Sequence, residues 1–371
     1  MKKGWQTKTL GEIIQLEYGK PLHPTDRNPK GRYPVYGANG VKDRTNKFYR
    51  DNPSIVVGRK GSAGEITLTE EKFWPLDVTY FVEFDRQHYD LRFLYYLLAT
   101  LELPSLAKGV KPGINRNEVY ALPVHVPPLP EQQRIVGILD EAFDGIAKAR
   151  ANAEKNLQNA RALFESHLQS VFTQRGDGWE VRKIKEVAKH SLGKMLDKAK
   201  NKGELQPYLR NINVRWFTFN LSDLLQMPFL PEESAKYTAV KGDVLICEGG
   251  YPGRAAIWTE DYPIYFQKAL HRVRFHEPEH NKWFLYYLYA QDKSGELKQH
   301  FSGTGIQHFT GEVLARFELP LPPLPELRRA VVKFEKLSIE TQRLESLYQR
   351  KLAALDALKK SLLHQAFSGR L

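Results

Sequence analysis

One proline-rich stretch fixes the plan of this chain, because it occurs twice. Val126-Pro127-Pro128-Leu129-Pro130-Glu131-Gln132-Gln133-Arg134 returns 195 positions later as Leu321-Pro322-Pro323-Leu324-Pro325-Glu326-Leu327-Arg328-Arg329. Proline holds φ near one value and donates no amide hydrogen, so each copy is extended and unfit for a helix interior or a central strand. The last proline sits where a helix can start. The glutamate after it falls in the first turn, near the positive end of the helix dipole. About 40 residues of helical periodicity, free of proline, follow each copy. A stiff lead into a long helix, used twice, implies a duplicated architecture.

The rest of the sequence repeats in step. Gly4-Trp5 is echoed by Gly178-Trp179, and Gly19-Lys20 by Gly193-Lys194. Short β-rich runs, Ser54 to Val57 and Val244 to Ile246, lead into glycine-rich loops at 58–64 and 248–254. Strands are expected around Val78 to Phe84 and Ala269 to Phe275. Helices carrying tyrosine pairs (Tyr95-Tyr96 and Tyr286-Tyr287) follow, with Asp90 and Asn281 as expected N-caps. These helices are apolar all round, so the tyrosines read as core rather than base-stacking platforms. A second glycine loop comes next in each half, at 108–116 and 303–309, and then an alternating strand into the proline segment. The expected class is α+β: two similar mixed α/β domains, 1–125 and 176–320, and two hinge-plus-helix segments, 126–175 and 321–371.

The long helices show a shared heptad register. Leu337, Leu344, Lys351 and Leu358 lie seven apart, as do Thr341, Tyr348, Leu355 and Leu362. Shifted by 195, these rows become Ala142, Ala149, Asn156 and Leu163, and Ile146, Ala153, Ala160 and His167. Small residues in one helix set against large ones in the other suit a close, antiparallel pair within one chain. The domains would then lie at opposite ends of a pseudo-two-fold rod; pairing with a second copy is the competing reading. His167 reads as a packed seam residue rather than a metal ligand, since no second ligand lies one turn away.

Composition narrows the function. Fifty-five Lys and Arg against 43 Asp and Glu leave a net charge of +12, a surplus that suits a polyanion, nucleic acid above all. Cys247 is the sole cysteine, so neither an intrachain disulfide nor a cysteine metal cluster is expected. Met1-Lys2-Lys3 has no apolar run behind it and does not read as a signal peptide, and no stretch is apolar enough to span a membrane. A cytoplasmic protein is expected. Phosphate-loop, zinc-ligand and nucleophile-elbow motifs are absent. Phe301-Ser302-Gly303-Thr304-Gly305 matches the glycine loop of S-adenosylmethionine-dependent methyltransferases superficially, but no Asn/Asp-Pro-Pro-Tyr/Phe element accompanies it. No catalytic residue and no metal ligand is assigned.

What remains is two basic modules whose loops offer DNA-contacting side chains. Arginine and lysine reach phosphates or guanine edges; asparagine and glutamine can pair with adenine edges. The candidates are Lys42, Arg44, Arg59, Lys60, Lys108, Lys111, Asn115 and Arg116 in the first module. In the second they are Arg210, Asn211, Asn213, Arg215, Arg254, Gln307 and His308.

With these elements in place, the chain resembles the specificity subunit of type I restriction–modification systems. The resemblance covers essentially the whole chain. It is carried by Pro127 to Val136, Pro322 to Glu326, Tyr208-Leu209-Arg210-Asn211-Ile212-Asn213 and the ending Leu363 to Leu371. The second hinge departs in having Leu327-Arg328-Arg329 where the first has Gln132-Gln133-Arg134. The resemblance implies a non-catalytic subunit with two target-recognition domains, each reading half of a bipartite, asymmetric site in double-stranded DNA. It implies docking of two methyltransferase subunits, which modify adenine at N6, and of restriction/translocase subunits. S-adenosylmethionine, ATP and Mg are then expected on those partners and no cofactor here. A helix of about 40 residues, roughly 60 Å long, would set the gap between half-sites. The alternatives are a self-sufficient DNA methyltransferase and a coiled-coil scaffold that binds no DNA.

Overall fold

The computed structural model describes residues 4–197 and 201–371, leaving Met1-Lys2-Lys3 outside. The chain divides into two compact units, residues 1–154 with 350–371, and residues 155–349.

In the first unit, Ser54–Gly58 is a central strand, buried at every position, as its β-branched Ile-Val-Val run requires. Its sheet has the order Gln15–Tyr18, Thr79–Glu83, Ser54–Gly58, Ile66–Thr69, antiparallel throughout. A second sheet joins Gly40–Thr45, Tyr33–Gly37 and Trp74–Pro75, with the last pair parallel. Gln6–Thr9 pairs with Pro123–Val126 just before the first proline segment.

The second unit repeats this topology. Its main sheet runs Ala188–Leu192, Leu270–Phe275, Val244–Cys247, Ala255–Ile257. Leu225–Phe229, Glu204–Leu209 and Ile264–Phe266 form the second sheet, again with one parallel pair, and Thr238–Ala239 adds an edge strand. Glu180–Lys183 pairs with Glu318–Leu321 before the second proline segment.

The echoed glycines hold equivalent contacts. A Cβ on Gly19 would lie 2.1 Å from the Leu76 carbonyl oxygen, and one on Gly193 2.2 Å from that of Gln267. Backbone cannot yield to that approach cheaply. Gly193→Ala is therefore expected to cost about 1–3 kcal/mol, read as a lower denaturant midpoint for the second unit. Alanine at Gly61, where φ is +84° but a Cβ would meet nothing within 4 Å, carries only the smaller backbone penalty.

The long helices are Leu129–Thr173 and Leu324–Phe367, and each begins one residue before the last proline of its hinge. Within each unit they lie side by side and antiparallel. In the first unit, Arg150 bonds Asp356 at 2.5 Å and Arg134 reaches the Leu371 carbonyl at 2.8 Å. In the second, Arg161 bonds Glu345 at 2.6 Å and the rings of Phe172 and Phe334 are 5.8 Å apart. At the 195-residue offset, Arg150 corresponds to Glu345 and Arg161 to Asp356, so one interhelical bridge is made twice with its signs exchanged. Two copies of the first helix in this register would set Arg150 against Arg161, which disfavours pairing with itself.

Each core draws on both long helices. Ile135, Val136 and Leu139 of the first helix and Ala366 of the second close the core around Phe93, Leu94 and Leu97. Phe164, Leu168 and Phe172, with Leu327, Val331 and Phe334, close the other around Trp283, Tyr286 and Tyr287. The tyrosine pairs thus pack inward, and Tyr96 gives its hydroxyl hydrogen to Asp140 at 2.5 Å. His167 is half-buried against Phe334, with ring centroids 5.9 Å apart.

Two expectations need correction. Ala142, Ile146, Ala149, Ala153, Leu337, Tyr348, Leu355 and Leu362 are buried or half-buried, but Leu163, Leu344 and Leu358 face out, at 67%, 36% and 48% exposure. Their row passes to the neighbours one residue later, Leu157 and Phe164 on one helix and Glu345 and Leu352 on the other. An α-helix turns once per 3.6 residues, so a strict seven-residue row drifts about 20° per heptad off the contact line. Asn281 is not an N-cap. That helix starts at His280 with Glu279 before it, and the Asn281 amide instead donates to the Gly242 carbonyl.

Candidate nucleic-acid interface

In the first unit, the strand Ser54–Gly58 delivers the first glycine loop. The Gly64 amide closes it by donating to the Gly58 carbonyl at 2.8 Å, and Gly61 turns with φ +84°. The second loop is a small hairpin, closed by reciprocal backbone bonds between Lys108 and Gly113 at 3.0 and 3.1 Å. The Ile114 amide then donates to the Arg59 carbonyl, which hangs the second loop on the first.

This arrangement brings Lys42, Lys60 and Lys111 around one groove of about 570 Å³, together with Asn39 and Ser62. Three exposed ammonium groups on a shallow groove favour a polyanion. Beside the groove, the Arg59 and Arg116 guanidinium groups both lie 5.2 Å from the Tyr18 ring, which is 46% exposed. Arg59 also donates to the Asp77 carbonyl. Lys108 pairs with Glu118 at 2.7 Å, and Asn115 caps the short helix Arg116–Tyr120. Arg44 stands apart: its guanidinium donates to the Gly31 and Arg32 carbonyls, so it braces a turn.

The second unit builds the same two loops from different residues. Gly253 closes the first on the Cys247 carbonyl, and the Phe309 amide donates to the Glu248 carbonyl. Reciprocal backbone bonds between Ser302 and His308, both 2.9 Å, close the hairpin. Gln307 is exposed there. The His308 imidazole packs over Gly249, where a Cβ would come within 3.1 Å of its Nδ1. Asn211 donates to the Gly249 carbonyl and accepts from Arg254 through its own carbonyl, while Arg254 lies 5.1 Å from the Tyr251 ring. Arg215 is exposed and donates to the Ile212 carbonyl.

Two further candidates are engaged inside the fold. Asn213 is 1% exposed; its amide donates to the Asn220 and Asp223 carbonyls, and its oxygen accepts from the Arg210 amide. Arg210 pairs with Asp223. These carbonyl partners lie 7 to 13 residues away, beyond what local spacing reveals. Sequence reasoning also missed Tyr18 and Tyr251, whose only local signal is an aromatic residue beside a glycine loop.

Beneath the second hairpin, His271 lies 1% exposed with Nε2 3.2 Å from the Phe309 carbonyl. Burial, with His190 nearby, pushes its pKa down to about 4. The unfolded imidazole takes a proton near pH 6.5 and the folded one does not, so protonation favours unfolding. Stability is full above pH 6.5 and falls as pH drops toward 4. A loss of about 2 kcal/mol between pH 7.5 and 5 is expected from this group, and His271→Gln should remove most of that dependence in denaturation curves. Cys247 is buried beside the first loop, and burial pushes its thiol up to about 11, which keeps it protonated and poorly nucleophilic.

Similarity to known proteins matches this duplicated scaffold. The profile of the type I restriction modification DNA specificity domain matches twice, over residues 2–155 and 176–351. The chain belongs to the type I restriction–modification specificity family. Among its relatives, the type I restriction enzyme MjaVIII specificity subunit of Methanocaldococcus jannaschii is 23% identical, over 99% of this chain and 93% of that one. The EcoDI specificity subunit of Escherichia coli is 24% identical, over 99% and 88%. Solved structures share the fold. A chain described in terms of the complex assembly and conformational transition of the type I R-M system superposes with TM-score 0.78 at 20% identity, covering 100% of this chain and 99% of that one. The HsdS subunit of Thermoanaerobacter tengcongensis gives 0.60 at 19%, over 100% and 98%. In this specificity chain, no described helix is long and apolar enough to cross a membrane.

Proposed function

We propose that this chain is the target reader of a type I restriction–modification complex in the cytoplasm. Each repeat reads one half of a bipartite, asymmetric site in double-stranded DNA, and the chain itself performs no catalysis. The observation that carries this reading is that one scaffold presents the same two loops twice, with different side chains on them. The first loop opens with Arg59 in one unit and Glu248 in the other, each accepting through its carbonyl from the residue that ends the second loop. Equivalent position with unequal chemistry suits two unequal half-sites.

The long helices carry two DNA-methylating subunits, and restriction/translocase subunits join that assembly. S-adenosylmethionine, ATP and Mg serve those partners. Supporting this, Val332 and Ile339 lie 49% and 63% exposed, seven residues apart on one face of the second helix. Val332 borders a groove of about 340 Å³ with Pro278, Leu327 and Val331. Exposed apolar stripes of this kind mark protein contacts. The test is to map N6-methylated adenines in cellular DNA with and without the gene. Loss of one bipartite motif on deletion is expected; an unchanged methylation pattern would refute the reading.

A further inference from the structure

The two most exposed large apolar side chains among the described residues are Val110, at 109% relative exposure, and Ile306, at 74%. They occupy the same loop of each unit, at different steps within it. Each sits in the second glycine loop of its unit, inside the hairpin closed at Lys108–Gly113 or at Ser302–His308. Glycine with positive φ begins the turn in both, Gly109 at +93° and Gly303 at +106°. Turn chemistry at such a tip calls for polar or glycine residues, and a branched apolar side chain in full contact with water gains nothing for the fold. Two loops of different sequence have nevertheless each placed one there.

The surroundings say what covers them. Val110 precedes Lys111, which faces the groove with Lys42 and Lys60; Ile306 precedes the exposed Gln307. An apolar partner protein would not suit the cationic setting of Val110, whereas DNA does, and the amide of Gln307 beside Ile306 suits a base edge. Base edges in the major groove offer mostly hydrogen-bonding groups, and their one apolar feature is the thymine 5-methyl group. We infer that Val110 and Ile306 read thymine methyl groups, one in each half-site, while the adjoining polar side chains hold the backbone and neighbouring base edges. This rests on the proposal that each repeat reads one half-site.

The test uses the full chain assembled with its methylating partner subunits and a duplex carrying its own target. Thymines of one half-site are replaced by uracil, which removes only the methyl group. Binding is expected to weaken roughly fourfold for each contacted methyl, the value for burying one such group. Val110→Ser should abolish thymine–uracil discrimination in one half-site and leave it intact in the other; Ile306→Ser should do the converse. Equal affinity for thymine and uracil targets would overturn the inference, as would variants that keep full discrimination. A scrambled duplex separates the two ideas. Binding that prefers the target but ignores the methyl groups overturns this inference alone, and binding without sequence preference overturns the half-site reading and this inference with it.

Discussion

Phe334→Ala is expected to lower the stability of the second unit by about 3–5 kcal/mol, the range for truncating a fully buried aromatic ring. The side chain is 0% exposed and its ring lies 5.2 to 6.0 Å from those of Tyr286, Phe172, His167 and Trp283. It joins both long helices to the helix His280–Ser294, so its loss leaves a cavity where three elements meet. Whole-domain stabilities run to about 5–15 kcal/mol, so the unfolding midpoint of that unit should fall steeply. Ile339→Ser, five residues on but 63% exposed, should change stability by no more than about 0.5 kcal/mol. If docking uses that face, it should weaken assembly with the methylating subunits instead. A Phe334→Ala chain with unaltered denaturation would show that the helix junction does not hold the unit together.

The second large effect concerns the lysine groove. Replacing Lys42, Lys60 and Lys111 with glutamine should weaken DNA binding by the assembled complex about equally for target and scrambled sequences. Lysines that neutralise phosphates release counterions, so the slope of log affinity against log salt should flatten by about one unit for each lysine, three in all. An unchanged slope would mean that the DNA backbone lies elsewhere. A loss confined to the target sequence would assign these lysines to base reading.

Much of the plan was legible from residue types whose constraint is local. The proline hinges declare helix starts by what proline cannot do. In the sequence Gly19 and Gly193 mark only a repeat; the backbone contacts that exclude a side chain there belong to the fold. The charge-swapped bridges sit at the offset that the hinges define. What stayed hidden depends on distance along the chain. Nothing near Asn213 reveals that Asn220 and Asp223 will take up its amide, and nothing near Arg44 reveals that residues 31 and 32 will claim its guanidinium. Leu163, Leu344 and Leu358 misled for a geometric reason, since seven-residue spacing and a straight α-helix part company within a few turns. The tip residues Val110 and Ile306 were visible as apolar residues in polar loops, but only their exposure made them candidates.

Because the first unit takes Ala366 from the far end of the chain into its core, the order of synthesis and the order of completion differ. The module translated first must wait, with an unsealed apolar surface, until the final helix has left the ribosome. The module translated second already has every strand and helix segment it needs by residue 349. A chain terminated just after residue 349 would therefore expose its first module to aggregation and proteolysis while its second stands finished.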